Sequence, residues 1–105
     1  MKLTEIYTKT SNIKVRDNSN KVFLIFDMKK DVIHELNATA YEIFQIIDGY
    51  KKVDIIIKEL ASNYNIPEER IKEDVKSILK RFLKIGIIHP VDYSVKKEKH
   101  ENNIS

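Results

Sequence analysis

The sequence Leu36–Gly49, LNATAYEIFQIIDG, divides the chain, because an alternating, extended N-terminal third changes here into a helical remainder. Asn37 predicts a helix cap, since the side-chain oxygen of asparagine can accept a backbone N–H that the first helical turn leaves unpaired. Apolar residues then recur at helical spacing, and Asp48-Gly49 ends the run. The stretch therefore predicts a strand that passes directly into a helix.

Composition narrows the class of protein. A chain of 105 residues with 42% hydrophobic and 33% charged residues predicts one small globular domain with a single core. Its formal charge of +3 is too small to indicate a nucleic-acid partner by itself. The absence of cysteine excludes disulfides, thiolate metal sites and iron–sulfur clusters. No apolar stretch approaches the roughly 18 residues of a membrane span, so we expect a cytoplasmic protein without membrane contact.

Three strands are predicted before the junction. Residues 13–16 alternate apolar and basic side chains, which is typical of a strand with one buried face. Turn-forming residues at 17–20 return the chain as a hairpin. Residues 21–27 are apolar on both faces, as in a central strand, whereas Asp31–Leu36 carries charges that are common on edge strands. The pattern predicts an antiparallel meander whose third strand has one free hydrogen-bonding edge.

Three helices are predicted after the junction: one following Asn37, one over residues 53–63, and one from Pro67 to about Ile85. The last has the clearest helical period, and its apolar stripe is wider than a core face requires. The central stripe comprises Ile71, Val75, Ile78, Phe82 and Ile85, and the margin comprises Leu79 and Leu83.

The predicted fold class is therefore α+β, a three-stranded antiparallel meander followed by three helices, as in a winged helix-turn-helix. We divide the chain into an N-terminal arm (residues 1–10), a folded domain (11–90) and a flexible, charged tail (91–105). A fold of this kind says little about function until a site is found.

Several short motifs occur in the order and spacing of a known family. Each is ordinary core or cap chemistry, but their succession from about residue 13 to residue 88 is specific. They are L-N-A-T-A at Leu36–Ala40, D-G at Asp48-Gly49, E-L-A-x-x-Y at Glu59–Tyr64, D-V at Asp74-Val75 and L-K-I-G-I-I at Leu83–Ile88. By these motifs the chain resembles the PqqD family, also called RiPP recognition elements after the ribosomally made, modified peptides that they serve.

Two positions depart from the family pattern. Lys51-Lys52 precedes the second helix where Thr or Ser is usual, and Phe44 replaces a usual Trp. The resemblance implies a protein without catalytic residues. From the residues themselves we expect no metal site and no cofactor. The resemblance implies a protein that binds the leader segment of a precursor peptide as an added antiparallel strand. It also implies a partner enzyme that modifies the peptide, often a radical-SAM maturase.

The resemblance places the peptide between the third strand and the third helix. Strand addition needs an unpaired row of backbone groups and pockets for alternate side chains, and the sequence offers a free edge and a wide apolar stripe. The predicted backbone contacts are Val32, Ile33, His34, Glu35 and Leu36; the predicted pocket residues are Val75, Ile78, Leu79 and Phe82; and the predicted charged contacts are Lys72, Asp74 and Lys76.

Structural roles stay open for these residues. The core is the favoured role for Val75, Ile78 and Phe82 on the central stripe, whereas the two roles are balanced for Leu79 at the stripe margin. The third helix carries a basic ridge that either attracts an acidic leader or is a solvated face, and it comprises Lys72, Lys76, Lys80 and Lys84. No acidic residue lies one turn before Lys80, Arg81 or Lys84. Asp74 either orients the helix or accepts a cation of the peptide. His34 stands alone, without a second ligand at metal-binding spacing.

The alternative function is a winged-helix DNA-binding regulator, in which the third helix would enter the major groove. The first half of that helix is acidic, which disfavours contact with phosphates. An adaptor that binds only a folded protein is a third hypothesis. We expect no nucleic-acid partner, and a monomer or a weak dimer.

Overall fold

The structure is a computed structural model that describes residues 1–18 and 21–91. The predicted tail therefore lies outside the described residues, apart from Val91, as does the end of the first predicted turn. The elements in chain order are β1 (Tyr7–Lys9), β2 (Ile13–Asn18), β3 (Val22–Asp27), β4 (Val32–Leu36), α1 (Ala38–Ile46), α2 (Val53–Tyr64), α3 (Glu68–Ile85) and β5 (Ile88–Pro90). The predicted meander followed by three helices is confirmed.

The main sheet has the order β2-β3-β4, and all its strands are antiparallel. Opposed residues of antiparallel strands share a face, so the register separates an inner face from an outer one. Ile25 and Leu36 are buried on the inner face, where Phe23 stacks on Tyr41 of α1 with ring centroids 3.9 Å apart. The helices thus cover one side of the sheet.

The strand-to-helix junction forms as predicted. The Asn37 Oδ1 atom accepts the backbone N–H of Ala40 at 2.8 Å, so the cap places α1 directly after β4. Helix α1 ends at Ile46, earlier than the sequence pattern predicts. Gly49 then takes φ of +86°, a conformation that side chains other than glycine rarely adopt.

Helix α2 is capped by the N-terminal arm. Its N-cap residue, Lys52, makes no side-chain cap, in agreement with the missing Thr or Ser. The backbone N–H groups of Val53 and Asp54 instead donate to the carbonyls of Glu5 and Leu3, each at 2.9 Å. The arm therefore supplies acceptors that a capping side chain usually provides.

The arm also forms a small sheet that the sequence does not predict. Strand β1 pairs antiparallel with β5, and the Thr10 hydroxyl donates to the carbonyl of Gly86 at 2.7 Å. Tyr7 is buried, and its hydroxyl donates to the Glu5 carboxylate. These contacts join the start of the described chain to the segment that follows α3.

The Tyr7→Phe variant should be less stable than wild type at neutral pH. The hydrogen bond from Tyr7 holds the pKa of Glu5 below its usual value, so it stabilises the fold while Glu5 is ionised. This stabilisation is present above the unfolded-state pKa and is lost as pH falls through the lowered pKa. Urea unfolding at several pH values should show a stability difference that shrinks on acidification. A difference constant with pH would contradict the assignment.

Asp27 organises the turn between β3 and β4. Its buried carboxylate accepts the backbone N–H groups of Lys29 and Lys30 at 3.2 and 3.1 Å. We expect Asp27→Ala to lower the free energy of unfolding by about 1–2 kcal/mol. Asp27→Asn keeps one side-chain oxygen as acceptor and should lose less. Equal urea midpoints for the alanine variant and wild type would contradict this role.

Candidate functional site

Strand β4 forms one edge of the main sheet. Within residues 1–18 and 21–91 it pairs with β3 alone, so the free edge that the sequence predicts is present. Val32 and Ile33 are 41% and 59% exposed there. An exposed edge of this kind is a template for pairing with another extended chain.

The direction of the backbone groups on β4 follows from one contact. The guanidinium Nη2 of Arg81 donates to the carbonyl of Glu35 at 3.5 Å, so this carbonyl points away from β3. Alternate residues of an antiparallel strand direct their backbone groups to the same side, so Ile33 also points outward. The edge therefore presents the N–H and C=O groups of Ile33 and Glu35.

The predicted pocket residues of α3 divide into two groups. Val75, Leu79 and Phe82 are fully buried in the core, whereas Ile78 is half-buried. The prediction that Leu79 lies at the margin of the apolar stripe is therefore wrong, and Ile78 lies at that margin instead. Both arrangements fit a helical period, and the packing of α3 against α2 selects the one observed. Contact of the three buried residues with a peptide stays a prediction.

The predicted charged residues do not all face β4. Lys72 lines a depression with Leu3 of the arm and Asp54 of α2. Lys76 forms an ion pair with Glu73, with Nζ and Oε2 3.7 Å apart. Helical spacing puts both lysines on the far side of α3 from Arg81, whereas exposed Asp74 lies on the Arg81 side.

Arg81 is a candidate site residue that the predicted set of peptide contacts does not include. It lines a depression of about 280 Å³ at the end of β4, together with Lys21, Val22, Glu35, Leu36 and Asn37. Ile78 lies three residues before it and so shares its side of the helix. We call the outward backbone of Ile33 and Glu35, with Ile78 and Arg81, the edge groove.

His34 adds a polar atom near the edge groove. It lies on the inner face of β4 opposite Ile25, and its Nε2 atom is buried with no hydrogen-bond partner among the described residues. Buried polar atoms are usually paired, so this nitrogen is an exception on the inner face of β4.

Neither a metal cluster nor a membrane helix is found in the described parts of the chain. Residues 1–18 and 21–91 contain no group of three or more His, Cys, Asp or Glu side chains placed to hold a metal ion. No helix within the same ranges is long and apolar enough to cross a membrane.

Comparison with solved structures finds the same fold elsewhere. The structure titled "TbiB1 in Complex with the TbiA(beta) Leader Peptide" matches with a TM-score of 0.68 at 9% sequence identity, over 81% of this chain and 98% of that one. That protein was solved with a leader peptide bound.

The sequence is similar to one curated protein and matches one family model. The chain is similar to phosphoribosylformylglycinamidine synthase subunit PurS of Methanocaldococcus jannaschii, with 32% identity over 89 residues, 77% of this chain and 98% of that protein. The family model of coenzyme PQQ synthesis protein D (PqqD) matches residues 23–88, which include β3 except its first residue, β4, and helices α1, α2 and α3. Because this match covers more than half of the chain, the chain belongs to the PqqD family.

Proposed function

We propose that this chain is a non-catalytic, cytoplasmic protein that binds the leader segment of a precursor peptide. The leader adds to β4 as an antiparallel strand, and the complex is presented to a peptide-modifying enzyme such as a radical-SAM maturase. The observation that carries this proposal is the free edge, at which Ile33 and Glu35 direct backbone groups outward. Family membership and the fold shared with a leader-binding protein support it.

Strand addition explains how one site can combine affinity with selectivity. Backbone pairing at β4 would bind any extended peptide, because every residue other than proline offers an N–H and a C=O. Alternate side chains of the guest would face α3, where half-buried Ile78 offers an apolar contact and Arg81 a positive charge. An apolar leader residue followed by an acidic one at strand spacing would match this pair.

Selection from a phage-displayed library of short linear peptides tests the proposal. Selected peptides are then synthesised, and their affinity is measured by fluorescence anisotropy. Methylation of alternate backbone nitrogens of the peptide should remove binding, because it removes the donors of a β ladder. If methylation leaves the affinity unchanged, the peptide does not bind as a strand and the proposal fails.

The Ile78→Glu variant should bind the selected peptides about tenfold more weakly or worse, because a charge would replace an apolar contact in the edge groove. Ile55→Glu on α2 is the control, since Ile55 is a helical isoleucine outside the edge groove and is 42% exposed. Anisotropy titrations should show wild-type affinity for the control. Equal losses for both variants would count against the groove.

DNA binding and membership of a synthase have less support than peptide binding. DNA binding would bring the start of α3 close to phosphates, but its first turn contains Glu68 and Glu69. The similarity to PurS offers a second candidate, in which the chain is a subunit of a synthase. Co-purification of the chain with synthase subunits, without binding to any linear peptide, would favour that candidate.

A further inference from the structure

The outer face of the main sheet is apolar and uncovered in the described part of the chain. Residues Val22, Leu24 and Phe26 of β3 are half-buried, and none of them belongs to the core or packs against it. Ile33 of β4 shares this face and is 59% exposed. Antiparallel sheets often expose one face, but that face is then usually polar.

Charges flank this apolar centre in a definite order. The strand register places Arg16, Leu24 and Glu35 in one row across the sheet, and Lys14, Phe26 and Ile33 in the next. The first row is thus basic, apolar and acidic from β2 to β4. The Arg16 guanidinium lies 5.9 Å from the centre of the Phe26 ring, so a positive charge borders the apolar centre.

This order makes the face complementary to a second copy of itself. A two-fold axis parallel to β3 would place β2 of one copy over β4 of the other, with each row at the same height. Arg16 of each copy would then face Glu35 of the other, and Leu24 and Phe26 would face their own counterparts. An axis across the strands would instead place basic β2 over basic β2, which like charges disfavour.

We propose that two copies of this chain associate through the outer faces of their sheets, with Arg16 of each paired to Glu35 of the other. Aligned sheets pack about 10 Å apart and are rotated by roughly 30°, so long side chains of the outer strands can still meet. The β4 edges stay free within their own layers. The dimer therefore carries two edge grooves, and it does not depend on peptide binding.

Charge reversal tests the pairing. Sedimentation velocity over a range of concentrations should show that wild type associates reversibly. Arg16→Glu and Glu35→Arg should each weaken association about tenfold or more, because each puts like charges opposite one another. An equimolar mixture of the two variants, or the double variant, should restore it. Lys58→Glu, an exposed reversal on α2, is the control and should have no effect.

Three results would overturn the proposal. The first is a wild-type chain that stays monomeric at all concentrations, as it would if its own tail or another protein covered the face. The second is an association that neither reversal weakens. The third is a mixture of Arg16→Glu and Glu35→Arg that fails to associate. Because the readout is mass, failure of the dimer leaves the test of peptide binding intact.

Discussion

The Ile33→Pro variant should bind the selected linear peptides about tenfold more weakly or worse while the protein remains folded. Ile33 directs its N–H away from β3, so proline removes a donor from the free edge without removing a bond of the β3–β4 ladder. The carbonyl of the peptide that would accept this donor is left unpaired, which costs about 1–3 kcal/mol. Fluorescence anisotropy measures the affinity, and circular dichroism confirms folding.

Val15→Pro is the matched control for this variant. The N–H of Met28 donates to the carbonyl of Asn12 at 2.9 Å, so the backbone of Asn12 faces β3 and, by alternation, that of Val15 faces away. Val15 is therefore an outward position on the opposite edge of the same sheet. Wild-type affinity for Val15→Pro would assign binding to β4. Equal loss in both variants would mean that the peptide does not select this edge.

The Phe82→Ala variant should lower the free energy of unfolding by about 3–5 kcal/mol, because it leaves a large cavity in the core. Phe82 is 0% exposed and meets the ring of Phe44 edge-on, with centroids 5.9 Å apart. Single domains are stable by only about 5–15 kcal/mol, so this loss is a large fraction of the total. Urea unfolding followed by circular dichroism measures it.

This variant also separates the two roles that the sequence leaves open for Phe82. Phe82→Leu keeps most of the volume and should lose considerably less stability than Phe82→Ala. A variant Phe82→Ala that kept wild-type stability but lost peptide affinity would assign Phe82 to a pocket. We expect the opposite, because the side chain has no exposed surface.

The order of elements was predictable because the main strands and helices are long enough to show a period. Apolar and basic residues alternate twice over residues 13–16, and the helical spacing of α3 repeats along its 18 residues. Strands β1 and β5 contain three residues each, so alternation cannot distinguish them from loops. The exchange of Ile78 and Leu79 was also beyond the sequence, since both fit the period and only the packed neighbours of α3 distinguish them.

The edge groove was predictable in part. Charges on Asp31–Leu36 indicated an edge strand, and the structure has that edge. Arg81 could not be assigned, because its approach to Glu35 joins residues 46 positions apart. Helical spacing does place Arg81 on the same side of α3 as Ile78. This spacing is visible in the sequence, but only the fold shows that this side of the helix approaches β4.

The carbonyls of Leu3 and Glu5 set a limit on how this domain can be shortened. The family match begins at residue 23, yet the start of α2 depends on hydrogen bonds to Leu3 and Glu5, which precede the matched region. A protein trimmed to the matched boundaries would expose the first amides of α2 and would lack β1, β2 and most of β5. Excision experiments on this chain should therefore retain its opening residues, even when only peptide recognition is under study.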